Sequence, residues 1–170
     1  LIWHRPDRPF QSIGVGVLVF LIWVGPDWIS SGYRHHWLFE NSVTGLAQSS
    51  LPARLRSDQL FLAMRIFGTA VVVPIVEELF WRGWLMRYLI RPEIQRVPLG
   101  SYSALSFWAT AILFATEHGP YWEVGLIAGV IYNAWVIRTR NLNDCILAHG
   151  VTNFCLAIYV IASAQWRYWL

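Results

Sequence analysis

Glu77 and Glu78 stand side by side in the apolar run VVVPIVEELFWRGWLMRYLI, residues 71–90, with Arg82 four residues beyond the second. Ionisable groups in such surroundings are costly and call for a chemical reason. On a helix, Glu78 and Arg82 are i,i+4 neighbours on one face, whereas Glu77 points about 100° away. One carboxylate is thereby neutralised, and the other is left to face a cavity as a general base. Favourable placement of acids in the first turns after Pro74 would need only one acid and no arginine.

Two further pairs have similar promise. In FATEH, Phe114 and His118 share a helical face at the end of an apolar run. Alone, that histidine reads as an interfacial residue completing the helix dipole. In HGVTN, His149 and Asn153 are spaced i,i+4, and both can donate hydrogen bonds. Alone, they read as interhelical glue, each bond adding about 0.6 kcal/mol. Arg65, in FLAMRIFGTAVVV, reads as a side chain snorkelling to an interface. Taken together, a carboxylate base, two histidines and an amide on three segments can assemble a water-activating site with an oxyanion hole. Other hydrolytic chemistries lack their residues. There is no HExxH and no G-x-S-x-G, and Asp7, Asp27, Asp58 and Asp144 all flank the apolar runs, leaving no aspartyl dyad within a span.

The elements that must position these groups are membrane helices. Charged residues are 14% of the 170-residue chain, against about 25% in soluble domains. Residues 9–26 and 97–116 carry no charge at all, and 145–166 hold only His149 besides two thiols. Runs of about 18–20 apolar residues match a hydrocarbon core of ~30 Å. Five segments follow, at about 11–25, 59–89, 102–118, 122–138 and 144–164. The second is overlong and contains Pro74, which predicts either two helices or one kinked helix. The aromatic and polar connector 26–58 reads as interfacial. Every basic residue is Arg; seven lie in 1–8, 87–96 and 138–143, against four among Arg34, Arg54, Arg56 and Arg167. That bias places the first set in the cytoplasm. The net charge of +3 fits such anchoring, and no basic stripe suits a nucleic-acid partner. Cys145 and Cys155 lie roughly 15 Å apart along one helix, too far for a disulfide, and read as packing residues.

The order EExxxR, FxxxH, HxxxN resembles the CPBP (Abi) family, which includes the type II CAAX prenyl endopeptidases. The resemblance covers about residues 70–160. It implies an all-α, polytopic membrane helix bundle with an intramembrane polar cavity reached from the cytoplasm and the lipid. It also implies that Glu77 is the general base, that His118 holds the water with it, and that His149 and Asn153 donate to the oxyanion. Glu78 and Arg82 would steady the helix. A zinc set of Glu77, His118 and His149 is the alternative; the resemblance favours a glutamate mechanism with no cofactor. The phrases VVVPIVEELFWRGWL, IYNAWVIRTR and CILAHGVTN look like a bacterial subgroup that accompanies exosortase and PEP-CTERM sorting. The implied setting is the bacterial inner membrane, with lipids, a membrane-anchored protein or peptide substrate and exosortase-system proteins as partners.

We expect one domain over 1–170, truncated at its N-terminus, since it opens on Leu with no signal peptide. Counting spans alternately puts Glu77 and His149 near one membrane face and His118 near the other. The 102–118 helix is therefore expected to stop part-way, with HGPYW lining a cavity at depth. The alternative function is a non-enzymatic binding, immunity or chaperone-like protein using the same polar cluster. A proton-relay transporter would bring inverted repeats, and the sequence has none.

Overall fold

A computed structural model describes residues 5–169. The chain is an all-α bundle of five main helices: α1 (Pro9–Ile29), α2 (Gln59–Tyr88), α3 (Ala104–Thr116), α4 (Trp122–Thr139) and α5 (Leu142–Ser163). There is no strand among the described residues. Helices α1, α2 and α5 are long and apolar enough to cross a membrane. The apolar face of α2 stays outside the bundle, with Leu60, Met64, Phe67, Val71 and Val76 exposed. Such a face is stable against hydrocarbon, where it has no water to avoid.

Helices α2, α3 and α5 begin where a side chain satisfies one of their first N–H groups. Asp58 accepts from the Phe61 N–H at 3.1 Å, Ser103 from Ser106 at 3.1 Å, and Asn141 from Asn143 at 2.9 Å. Just before α1, the chain is held by an acceptor from another helix. The buried Asp144 of α5 takes the Arg8 N–H at 2.9 Å, the Asp7 N–H at 3.2 Å and the Ser12 hydroxyl at 3.0 Å. This joins the starts of α1 and α5, so the two run parallel.

Helix α2 is continuous across Pro74, not two helices, because its hydrogen-bond register slips. Residues Gly68–Val72 and Leu79–Leu85 are wound in the wider π form, and the Val73 N–H reaches back five residues to Gly68 O. Such a slip absorbs a proline without breaking the helix.

Helix α1 packs closely along α5. A Cβ on Gly16 would collide with Ala148 O and the Val151 side chain, and Thr152 donates its hydroxyl to Gly16 O at 2.8 Å. Gly16→Val is expected to destabilise the bundle by about 1–3 kcal/mol. Gly14→Val, where a Cβ meets nothing within 4 Å, should serve as a neutral control. Thermal unfolding of both variants in detergent checks this.

Helix α3 has 13 residues, a rise of about 20 Å against a hydrocarbon core of ~30 Å. It ends in a tight turn, Gly119–Tyr121, with Gly119 at φ 51°. His118 and Tyr121 thus follow the end of a helix about two thirds as long as that core is thick. The connector is irregular apart from short turns at Tyr33–His35 and Ala53–Arg56. It is anchored by Arg34, which is 1% exposed and sits 2.6 Å from Glu123 and 3.4 Å from Asp27. Arg34 also donates to Pro120 O at 2.8 Å and stacks over Tyr121 at 4.1 Å. Asp27 belongs to the last turn of α1 and Asp144 to the first turn of α5, so neither merely flanks an apolar run. They lie at opposite ends of the bundle, so no aspartyl dyad forms between them.

Candidate active site

Four residues of α2 at i,i+4 spacing, Arg65, Thr69, Val73 and Glu77, form one wall of a cavity of about 410 Å³. The opposite walls bring His118 from the end of α3, Tyr132 from α4, and His149 and Asn153 from α5. All four residues expected to carry chemistry therefore line one space. His118 joins the others because α3 stops short.

Glu78 faces away from this wall into the core, fully buried with Arg82. Arg82 Nη1 lies 2.9 Å from Glu78 Oε1, Nε donates to Asn133 Oδ1 at 2.9 Å, and Nη2 donates to Gly129 O at 3.3 Å. The guanidinium stands 4.6 Å from the Phe114 ring centre. Glu78 holds more than the arginine. Its Oε1 is 2.9 Å from His149 Nδ1, and its Oε2 accepts from Cys145 Sγ at 3.2 Å. An ionised carboxylate only accepts, so the His149 proton sits on Nδ1. The Tyr132 ring stacks on the same imidazole, with centres 5.0 Å apart.

His118 is fixed in the same way. Its Nδ1 is 2.8 Å from Phe114 O, a group that only accepts, so Nδ1 carries the proton. In the neutral ring Nε2 is then an acceptor. Trp23 of α1 packs edge-on at 5.2 Å, and Gly125 leaves room for the ring, since a Cβ there would come within 3.1 Å of it. Asn153 donates Nδ2 to Thr69 O at 2.9 Å. In the slipped register of α2, Thr69 O would meet the N–H of residue 74, and proline has none. Pro74 therefore frees the carbonyl that orients Asn153.

Glu77 is held differently. Its Oε2 is buried and has no hydrogen-bond partner among the described residues. A carboxylate oxygen kept from both water and donors is costly, and the Glu77 side chain is part of the cavity wall. Glu77, His118 and His149 do not form a metal set: among the described residues no three His, Cys, Asp or Glu side chains are placed to share an ion.

The structure adds residues that spacing alone misses. Cys145 is no mere packing residue, since it donates to Glu78. Its place four residues before His149 on one face of α5 was a legible signal. Asn133, a lone amide in IYNAWV, was another. Arg65 does not snorkel away; it lines the cavity with its guanidinium 5.0 Å over Trp169. The cavity runs from Glu77 and His149 toward Tyr121, Tyr168 and Trp169, at the end that carries the connector. This is the end away from the arginine-rich loops.

An all-α membrane bundle thus brings a carboxylate, two histidines and an amide around one internal cavity. The family described as Rce1-like, type II CAAX prenyl endopeptidase Rce1-like, matches residues 59–155, and the chain belongs to it. No curated protein matches, and no solved structure does.

Proposed function

We propose that the chain hydrolyses a peptide bond of a membrane-anchored or sorted protein by a glutamate mechanism. The observation that carries this reading is that Glu77, whose Oε2 has no hydrogen-bond partner among the described residues, lines one cavity with His118, His149 and Asn153. A water has two protons to donate, and Glu77 and neutral His118 Nε2 are two acceptors. Glu77 takes one proton as the water oxygen bonds to the scissile carbonyl carbon. The carbonyl oxygen becomes an oxyanion, which the second Asn153 N–H and His149 Nε2 stabilise. His149 donates there from Nε2 in its doubly protonated form, with Nδ1–H held by Glu78 Oε1. As the tetrahedral centre collapses, the C–N bond breaks and Glu77 returns its proton to the leaving amine.

The setting is a multi-pass protein of a bacterial cytoplasmic membrane, with lipid around α2 and exosortase-type sorting as the context for substrates. The test uses the purified chain in lipid nanodiscs, incubated with N-terminally palmitoylated decapeptide mixtures and a zinc chelator, with products read by mass spectrometry. Cleavage that survives the chelator supports the reading. Cleavage that is lost and then restored by zinc would replace it with a metalloenzyme. Binding of the peptides without any cleavage would favour the non-enzymatic alternative.

A further inference from the structure

We infer that Tyr132 is a positioning residue of this site: its ring, pinned by its own hydroxyl, sets the plane of the His149 imidazole so that Nε2 is presented to the oxyanion. This rests on the peptidase reading above. Glu78 holds His149 at Nδ1, at 2.9 Å. One hydrogen bond fixes one point of the imidazole and leaves its plane able to tilt about that bond. The Tyr132 ring supplies the missing restraint. It lies 25° from parallel to the imidazole, with centres 5.0 Å apart, and is fully buried. Phe114 closes the cluster edge-on, 6.0 Å from the His149 ring and 6.4 Å from the Tyr132 ring. Contact with an imidazole face needs only an aromatic ring, which phenylalanine would supply. The hydroxyl is the part that packing does not explain. Tyr132 O–H donates to Thr152 Oγ1 at 2.7 Å, and Thr152 is in turn 2.8 Å from Gly16 O and 3.1 Å from Ala148 O. Carbonyls only accept, so the Thr152 proton goes to them and its oxygen is left to accept from Tyr132. Tilting the Tyr132 ring would break this buried bond and strand a polar group. His149 and Thr152 are i,i+3 neighbours on α5, so one face of α5 holds both the Tyr132 hydroxyl and the imidazole on which its ring stacks. Gly16 O, Thr152, Tyr132 and His149 thus form one line from the backbone of α1 to the site.

The experiment compares Tyr132→Leu, Tyr132→Phe and Thr152→Val in lipid nanodiscs by two readouts. The first is the kinetics on one palmitoylated decapeptide that the native chain cleaves. Tyr132→Leu is expected to lower kcat by about 10²-fold, the cost of a reacting group displaced by about 1 Å, with KM unchanged. Tyr132→Phe and Thr152→Val break the same bond, so each should lower kcat by about five-fold, and the two combined should lose no more than either alone. In a His149→Ala background, Tyr132→Leu should cause no further loss, because Tyr132 acts through that ring. A merely structural role would lower the residual rate there as well, and that outcome overturns the inference. Native kcat in Tyr132→Leu overturns it too, as do multiplying losses in the Tyr132→Phe/Thr152→Val pair, a comparison that needs no folded Tyr132→Leu variant. The second readout is the nitrogen NMR spectrum of the histidine-labelled chain without substrate, the His149 ring signals being those absent from His149→Ala. The native chain is expected to give one sharp set, which broadens or splits when Tyr132 is replaced by Leu and shifts in Tyr132→Phe. Identical His149 signals in native chain and variants overturn the inference. Failure of the peptidase reading is separate: the His149 signals would respond as expected, yet the native chain would cleave no peptide.

Discussion

Glu77→Gln is expected to lower the rate of peptide cleavage by about 10²- to 10⁴-fold, the contribution of a positioned general base, while leaving stability intact. Amide and carboxylate have nearly the same shape, so the cavity wall keeps its packing. The wild-type carboxylate sits beside Glu78 in the chain with its Oε2 unpartnered, so neutralising it breaks no hydrogen bond to that oxygen. Cleavage assays and thermal unfolding on the same preparation separate the two effects. A variant that cleaves as fast as wild type would remove Glu77 from the mechanism, and one that fails to fold would make it structural.

The opposite pattern is expected one residue away. Glu78→Ala or Arg82→Ala should destabilise the bundle by about 3–5 kcal/mol, because each leaves the other charge buried without its partner. Both side chains are fully buried, 2.9 Å apart. Glu78 also holds His149 and Cys145, and Arg82 reaches Asn133 and Gly129 O. Loss of Glu78 should therefore lower activity as well, through a freed His149 ring. The double variant Glu78→Ala/Arg82→Ala should lose less than the sum of the singles, since no orphan charge remains. Denaturant titration of the detergent-solubilised variants checks both statements. If the singles unfold as wild type does, the pair is not the structural centre described above.

Which of these features the sequence disclosed follows from how far each interaction reaches along the chain. Glu78 with Arg82, and His149 with Asn153, lie four residues apart, and helical geometry alone places them on common faces. The five apolar segments also lie close to the observed helices, because hydrocarbon leaves little choice of backbone structure. Interactions between helices were harder to read. The His149–Glu78 bond spans 71 residues and depends on how α5 crosses α2. The position of Arg65 on the cavity wall depends on Trp169, over one hundred residues away. Pro74 was legible as an irregularity in α2. Its effect, a carbonyl freed to orient Asn153, needed the register of the whole helix. Asp144 looked like a flanking acid because two of its three partners are the backbone N–H groups of Asp7 and Arg8, which carry no side-chain signal.

In the proposed mechanism Glu77 and His118 together hold the attacking water. The measurement that tests it most directly is a high-resolution experimental structure of the chain in lipid, inspected between those two side chains. A water is expected within about 3 Å of both the Glu77 carboxylate and His118 Nε2, with His149 Nε2 and the Asn153 amide facing the same space. A tetrahedral ion held at about 2.0–2.2 Å by Glu77, His118 and His149, or a Glu77 turned away from His118, would contradict it.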